Sequence, residues 1–82
     1  MVAAADYWAL EGFDRETEEL IDDRVLVGLT DDEWGELFGI PRDGLGGECE
    51  VSAEHAAVIG RVLGVRLDLE RLIYFAGRRR DP

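Results

Sequence analysis

The most reactive side chains lie close together near the middle of the sequence. Cys49 and His55 are the only cysteine and the only histidine, and carboxylates at Glu48, Glu50 and Glu54 surround them. A thiol in contact with an imidazole can act as a nucleophile, but the imidazole also needs a group that orients it. Structural zinc needs four nitrogen or sulfur ligands, and this chain offers two. We therefore expect a protein that is not an enzyme and has no metal or other cofactor.

Carboxylates are the more prominent chemical feature. Residues 1–50 contain fifteen of the nineteen Asp and Glu residues but three arginines, which gives this part a net charge of −12. Residues 51–82 have a net charge of +2, and the whole chain has −10. Such a charge attracts a partner of opposite sign and speeds its association. We expect a basic protein partner, whereas direct binding to nucleic acid is disfavoured because phosphate is also negative.

The acidic residues are concentrated in two stretches, one around a predicted strand-to-helix junction and one in a glycine-rich segment. We predict that they form a partner-binding surface. The alternative is a solvated face, whose first-turn carboxylates merely suit the helix dipole. The predicted binding residues are Asp22, Asp23, Asp31, Asp32, Glu33, Glu36, Glu48 and Glu50.

Two strands are predicted at the start of the chain. Residues 7–13 are rich in aromatic side chains and contain a glycine, which is typical of a strand and unlike a helix. A turn at 14–17 follows, because Asp and Thr side chains can bond their own backbone two residues further on. Residues 20–27 predict the second strand, and the aspartates inside it indicate an edge position or a bulge.

The best-defined element is a helix over 31–38. Thr30 and Glu33 have the spacing of a capping box, in which each side chain bonds a backbone N–H group of the other residue. A glycine directly after the predicted helix is typical of a helix C-terminus. Trp34 and Phe38 lie one turn apart, so they share a helix face and are predicted to lie in the core.

The second half is predicted to contain a loop, a helix and a strand. The loop covers 42–50 and is rich in glycine. Ser52 is expected to cap the second helix, which ends at Gly64. The apolar residues within 67–76 predict a buried strand, and the basic residues of 78–82 are expected to form a frayed tail.

These elements predict an α+β fold. Their order in the chain is β-β-α-α-β, which gives a small three-stranded antiparallel sheet covered on one face by two helices. Residues 1–82 are expected to form one domain with a frayed N-terminus at 1–5. The lone cysteine, the lack of a basic start typical of a signal peptide, and the lack of an apolar run long enough for a bilayer predict a cytoplasmic protein without membrane contact.

The sequence resembles a family of small uncharacterised bacterial domains. Members begin with an aromatic strand, then an F-D-[KR]-E-T turn and a second strand. Here the matching stretches are Tyr7-Trp8, residues 11–20 with Phe13-Asp14-Arg15-Glu16-Thr17, Leu37-Phe38-Gly39-Ile40-Pro41 and residues 67–75. In size and acidity the members are similar to immunity proteins, which are encoded beside bacterial toxins and inhibit them.

Two functions follow as hypotheses. The first is a small acidic protein-binding module, in its most specific form an immunity protein or antitoxin-like inhibitor that covers the basic surface of a toxin. The second is a homo-oligomeric accessory or regulatory protein without a toxin partner. In that case a homodimer would form by edge-to-edge strand pairing, or by contact between the basic tail and an acidic face.

Overall fold

Four strands and two helices make up the structure, a computed structural model that describes residues 6–40 and 47–80. The strands form one antiparallel sheet with the order β2-β1-β4-β3. The α+β class is confirmed, whereas the prediction of three strands is wrong by one. In chain order the elements are β1 (Asp6–Asp14), β2 (Leu20–Val25), α1 (Asp31–Phe38), β3 (Glu48–Glu50), α2 (Ala53–Leu63) and β4 (Leu72–Arg80).

The additional strand is β3, which lies where the sequence predicts the end of a loop. It has three residues, so it is too short to show the alternation of polar and apolar side chains by which strands are recognised. Its conformation comes from pairing with β4, and the Val51 N–H extends the pairing by donating to the Tyr74 carbonyl at 2.8 Å. Residues 42–46 of the predicted loop lie outside the described residues.

The basic tail also differs from its prediction, because β4 continues through Arg80. Arg78 pairs with Trp8 and Arg79 with Tyr7 in the β4–β1 ladder, because β1 is long enough to provide a partner for each. Arg78 is 8% exposed, lies 5.7 Å from the ring centroid of Trp8, and has its Nη2 atom 3.6 Å from Asp31 Oδ2. The expectation of a frayed end is therefore wrong for 78–80. Residues 1–5 and 81–82 lie outside the described residues.

Both helices begin with reciprocal caps. The Thr30 hydroxyl accepts from the Glu33 N–H at 3.2 Å, and the Thr30 N–H donates to Glu33 Oε1 at 2.9 Å. In α2, Ser52 Oγ accepts from the His55 N–H at 3.2 Å, and His55 Nδ1 accepts from the Ser52 N–H at 3.3 Å. The predicted bounds of α1, and Ser52 and Gly64 as the caps of α2, are confirmed. Neither of these described helices has the length and apolarity to cross a membrane.

The two faces of the sheet differ because successive side chains of a strand point in opposite directions. Trp8 and Leu10 point towards both helices and are 2% and 0% exposed. The Phe38 ring of α1 lies 5.8 Å from Trp8, and Ile59 of α2 belongs to the same buried cluster. We call this side of the sheet the covered face. It contains the hydrophobic core.

The opposite side has no helix on it among the described residues, and we call it the open face. Its members follow from the strand register. They are Leu20, Asp23 and Val25 on β2, Tyr7, Ala9, Glu11 and Phe13 on β1, Ile73, Phe75, Gly77 and Arg79 on β4, and Glu48 and Glu50 on β3.

Candidate partner-binding surface

The open face has a charged part centred on Arg79. The Arg79 guanidinium donates to the Glu11 carboxylate, and its Nη2 atom lies 3.4 Å from Glu48 Oε1. In the register, the Ala9–Gly77 pair lies between the rows that contain Arg79 and Glu11. These two small residues leave room for the guanidinium to lie across the sheet. One cation therefore joins carboxylates from two strands, β1 and β3.

A second carboxylate faces Glu11 directly and is not neutralised by this arrangement. Asp23 is the cross-strand partner of Glu11. The Leu26 N–H donates to the Trp8 carbonyl at 2.8 Å, so by alternation along the ladder Glu11 and Asp23 form a non-hydrogen-bonded pair. Side chains are closest in such pairs, and like charges opposite each other are destabilising. This cross-strand pair is therefore expected to be destabilising, to an extent that the contact of Glu11 with Arg79 reduces.

The apolar part of the open face forms a groove. The rings of Phe13 and Phe75 meet edge to face, with centroids 6.1 Å apart and an interplanar angle of 66°. Together with Ile73 they line a depression of about 540 Å³. Glu18 and Glu48 also line it, so carboxylates stand beside the aromatic rings. Asp14 and Arg15 complete the lining.

The β1–β2 turn holds the rim of this groove in place. Asp14 Oδ1 accepts from the backbone N–H groups of Glu16 at 2.8 Å and Thr17 at 3.0 Å. These two hydrogen bonds lower the pKa of the Asp14 carboxyl group. Arg15 Nε donates to the Leu69 carbonyl at 3.0 Å, which ties that side chain to the neighbouring loop. Asp14 therefore stabilises the turn, and Arg15 joins the turn to the neighbouring loop.

Glu18 differs from its neighbours in the turn. Its φ angle is 64°, in the left-handed region that non-glycine residues seldom adopt. The Glu18 N–H donates to the Asp14 carbonyl at 2.9 Å, which stabilises this conformation. The Glu18 side chain makes no ion pair with any residue in the described ranges. Its carboxylate is available to a ligand of the groove.

Three of the eight predicted binding residues share the open face but lie at its two opposite edges. Asp23 lies on β2 at one edge of the sheet, and Glu48 and Glu50 lie on β3 at the other edge. All three are exposed. They flank the apolar side chains of the two central strands from both sides, which the sequence alone does not indicate.

The other five lie elsewhere. Asp22 points to the covered face, where Arg24 Nε is 3.0 Å from its Oδ1 atom and the Tyr74 hydroxyl donates to its Oδ2 atom at 3.5 Å. Consecutive residues of a strand point to opposite faces, so Asp22 and Asp23 cannot share a surface. The remaining four belong to α1, on the covered side. They are Asp31, Asp32, Glu33 and Glu36.

Asp31 and Glu33 on α1 each have a structural role. Asp31 lies beside the buried guanidinium of Arg78. Glu33 completes the capping box, and its hydrogen bonds with Thr30 lower its pKa. The eight residues therefore do not form one continuous surface. The binding role of each residue stays a prediction.

Sequence reasoning missed several residues of the open face. Glu11 and Phe13 could have been found, because strand alternation from Tyr7 places both on one face. The contribution of Phe75 and Arg79 depends on the β1–β4 register, which joins residues about 60 positions apart in the chain. No local pattern encodes that register.

Cys49 and His55 have local structural roles. The Cys49 thiol donates to the Glu50 carbonyl at 3.4 Å, and burial, with a smaller effect of the Glu50 charge, raises its pKa. A raised pKa disfavours the nucleophilic thiolate. His55 uses Nδ1 in the helix cap, and its ring packs edge to face on Phe38 at 5.3 Å. Within residues 6–40 and 47–80 there is no group of three His, Cys, Asp or Glu side chains arranged to hold a metal ion.

Comparison with known proteins gives a family. Residues 7–77 match the model of a domain of unknown function, DUF7683. No curated protein matches the sequence. The match supports the coarser expectation, a small domain family without an assigned function. The F-D-[KR]-E-T turn as a family signature and the likeness to immunity proteins stay predictions.

Proposed function

The chain belongs to this family of unknown function, and we propose that it is a cytoplasmic protein-binding module whose open face binds a basic protein partner. The observation that carries the proposal is the composition of that face. Exposed carboxylates at Asp23, Glu48 and Glu50 surround half-buried aromatic rings of Phe13 and Phe75. Interfaces between proteins combine aromatic anchors with a polar rim in this way.

Electrostatics give the expected sign of the partner. The open face carries four carboxylates, on Glu11, Asp23, Glu48 and Glu50, and one guanidinium, on Arg79. A cationic surface docked there would neutralise this excess and reduce the repulsion between Glu11 and Asp23. The net charge of −10 would also speed the encounter at low salt.

The most specific form of the proposal is an immunity protein or antitoxin-like inhibitor. Such a protein would cover the basic active site or substrate groove of a toxin. The similarity of the family's members to immunity proteins in size and acidity supports this form, as does the net charge of −10. The product of the neighbouring gene is the natural candidate for the toxin.

Co-expression with that gene product tests the proposal. We expect a complex that survives size-exclusion chromatography at low salt, an association rate that falls as salt rises, and rescue of growth if the product is toxic. Failure to form a complex, together with failure to rescue growth, would contradict the proposal.

A homodimer is the second candidate, and the β2 edge favours it. Since Ala9 and Val25 form a non-hydrogen-bonded pair, the N–H and C=O groups of Val25 point away from β1 and can pair with another strand. Apolar side chains are also exposed along this edge, which is typical of an edge that is covered in an assembly. They are Leu20 (47% exposed), Ile21 (57%), Val25 (51%) and Val27 (59%).

Sedimentation equilibrium tests this second candidate. If the β2 edge forms a dimer, the mass should double as the concentration rises. Val25→Lys should restore a monomer, because an edge lysine blocks strand pairing between copies. Val58→Lys, a substitution at a partly exposed position of α2, is the control and should leave the dimer intact. A wild-type protein that stays monomeric at millimolar concentration would exclude the candidate.

A further inference from the structure

The groove lined by Phe13 and Phe75 has a more defined composition than the rest of the open face. Two aromatic rings and Ile73 line it, together with the carboxylates of Glu18 and Glu48. A volume of about 540 Å³ is within the range of sites that hold a ligand or a long side chain. We propose that this groove takes an arginine side chain of the basic partner, a proposal that rests on the function proposed above.

The chemistry of the groove matches the arginine side chain in two ways. A planar guanidinium stacks on an aromatic face, and one of the two rings can offer its face because they meet edge to face. Carboxylates bind its N–H groups through charge-assisted hydrogen bonds, which Glu18 and Glu48 can accept. The aliphatic part of the side chain would cover Ile73, in the way that long cationic side chains lie on apolar surface.

The charge balance of the groove favours a cation over an anion or a neutral group. Arg15 and Asp14 line it as well, but Arg15 is bonded to the Leu69 carbonyl and Asp14 to backbone N–H groups of the turn. Glu18 has no ion pair among the described residues, and Glu48 shares Arg79 with Glu11. The carboxylates available to a ligand thus exceed the available cations.

The left-handed backbone of Glu18 adds to this picture. A glutamate at a φ of 64° is strained, and a glycine or asparagine would fit the turn better. The glutamate nevertheless places a carboxylate beside the aromatic floor. Binding of a cation would explain why a glutamate stands at this position despite its unfavourable backbone conformation.

A pair of peptides provides the probe. One is the acetylated and amidated peptide Ala-Leu-Arg-Leu-Ala, and the other replaces arginine by citrulline, which has nearly the same shape without the charge. Each is titrated into labelled protein, and the backbone amide and aromatic ring signals are followed by NMR. We expect saturable shifts at Phe13, Glu18 and Phe75 with the arginine peptide. The citrulline peptide should bind at least about tenfold more weakly, because its hydrogen bonds to carboxylates are not charge-assisted.

Variants locate the binding site. Glu18→Gln and Phe75→Leu should each weaken binding of the arginine peptide several-fold, since one removes a charge and the other an aromatic face. Glu54→Gln on α2 removes an exposed carboxylate from the covered side of the sheet, outside the predicted binding residues, and should leave binding unchanged. Far-ultraviolet circular dichroism of each variant checks the fold. If Phe75→Leu is unfolded, Glu18→Gln alone decides, because Glu18 is exposed.

Four outcomes would overturn the proposal. Three of them are equal binding of both peptides, shifts confined to α1, and no saturable shift up to about 10 mM peptide. A fourth is a shift of groove signals with protein concentration alone, which would mean that a second copy of the chain occupies the groove. The proposed function fails separately, when the neighbouring gene product forms no complex. A complex that forms while the arginine peptide does not bind would contradict only the groove.

Discussion

The two faces of the sheet place their charges differently. On the covered face, Asp22 is paired with Arg24 and contacts the Tyr74 hydroxyl, while Arg78 lies between the Trp8 ring and Asp31. The register assigns four carboxylates and one guanidinium, that of Arg79, to the open face, and Arg79 contacts two of the four, Glu11 and Glu48. The first arrangement is balanced within the molecule, while the second is not.

This difference distinguishes the face that stabilises the fold from the face that we propose for binding. The covered face buries Trp8, Leu10, Trp34 and Ile59 almost completely, and charged groups at its margin have partners in the chain. The open face retains partly exposed aromatic rings, which contribute less to stability than the core does, and a like-charged cross-strand pair, which is destabilising. A sheet face that is unfavourable in isolation is expected where another molecule completes it.

Core truncation should give the largest effect on stability. Trp34→Ala removes a ring that is 1% exposed and stacks on Phe38 at 5.9 Å. We expect the free energy of unfolding to fall by about 3–5 kcal/mol. Phe75→Ala on the half-exposed open face should lower it by about 1 kcal/mol, because less surface is removed from water on folding. Urea unfolding compares the two, and equal losses would contradict the division between the faces.

The cap of α1 should give an intermediate effect. Thr30→Ala removes the hydroxyl that accepts from the Glu33 N–H, and we expect a loss of about 1 kcal/mol. The cap lowers the pKa of Glu33, so its ionic contribution is present above the unfolded pKa and is lost as pH falls through the folded pKa. The difference between variant and wild type should therefore shrink in acid. A difference that grows below about pH 4 would contradict this role of Glu33.

Relief of like-charge repulsion should give the smallest effect, and the opposite sign. Asp23→Asn removes one of the two carboxylates that face each other on β1 and β2. We expect the free energy of unfolding to rise by about 0.5 kcal/mol at low salt, and the gain to diminish at high salt. Glu36→Gln is the matched control on α1 and should show no comparable gain. Destabilisation by Asp23→Asn would mean that Asp23 has a stabilising partner.

Local chemistry in the sequence predicts the covered side well. The capping box at Thr30, the glycine after α1 and the spacing of Trp34 and Phe38 each act within one helical turn, so the bounds of α1 follow from neighbouring residues. The aromatic stretch of β1 and the cap at Ser52 are of the same kind. These features need no knowledge of the rest of the chain.

The open face depends on interactions that are distant in the sequence. Arg79 reaches Glu11 across 68 positions, and β3 exists only because β4 pairs with it. Proximity in the sequence was misleading for Asp22 and Asp23, which are neighbours in the chain but lie on opposite faces of β2. The acidic stretch of residues 22–36 is likewise divided between the sheet and α1.

Two triple variants test binding by the open face most directly. Both remove three negative charges from the chain, so they differ only in where those charges lie. One neutralises the open face, with Asp23→Asn, Glu48→Gln and Glu50→Gln. The other neutralises the helices, with Asp32→Asn, Glu36→Gln and Glu54→Gln. Association of each with the neighbouring gene product is measured as a function of salt, after circular dichroism shows that both are folded.

Binding through the open face predicts that its triple variant associates about tenfold more slowly at low salt and with a weaker salt dependence. The helix triple variant should stay within about threefold of the wild-type rate, since its charges act only at a distance. Equal slowing of the two variants, or greater slowing of the helix variant, would contradict the account.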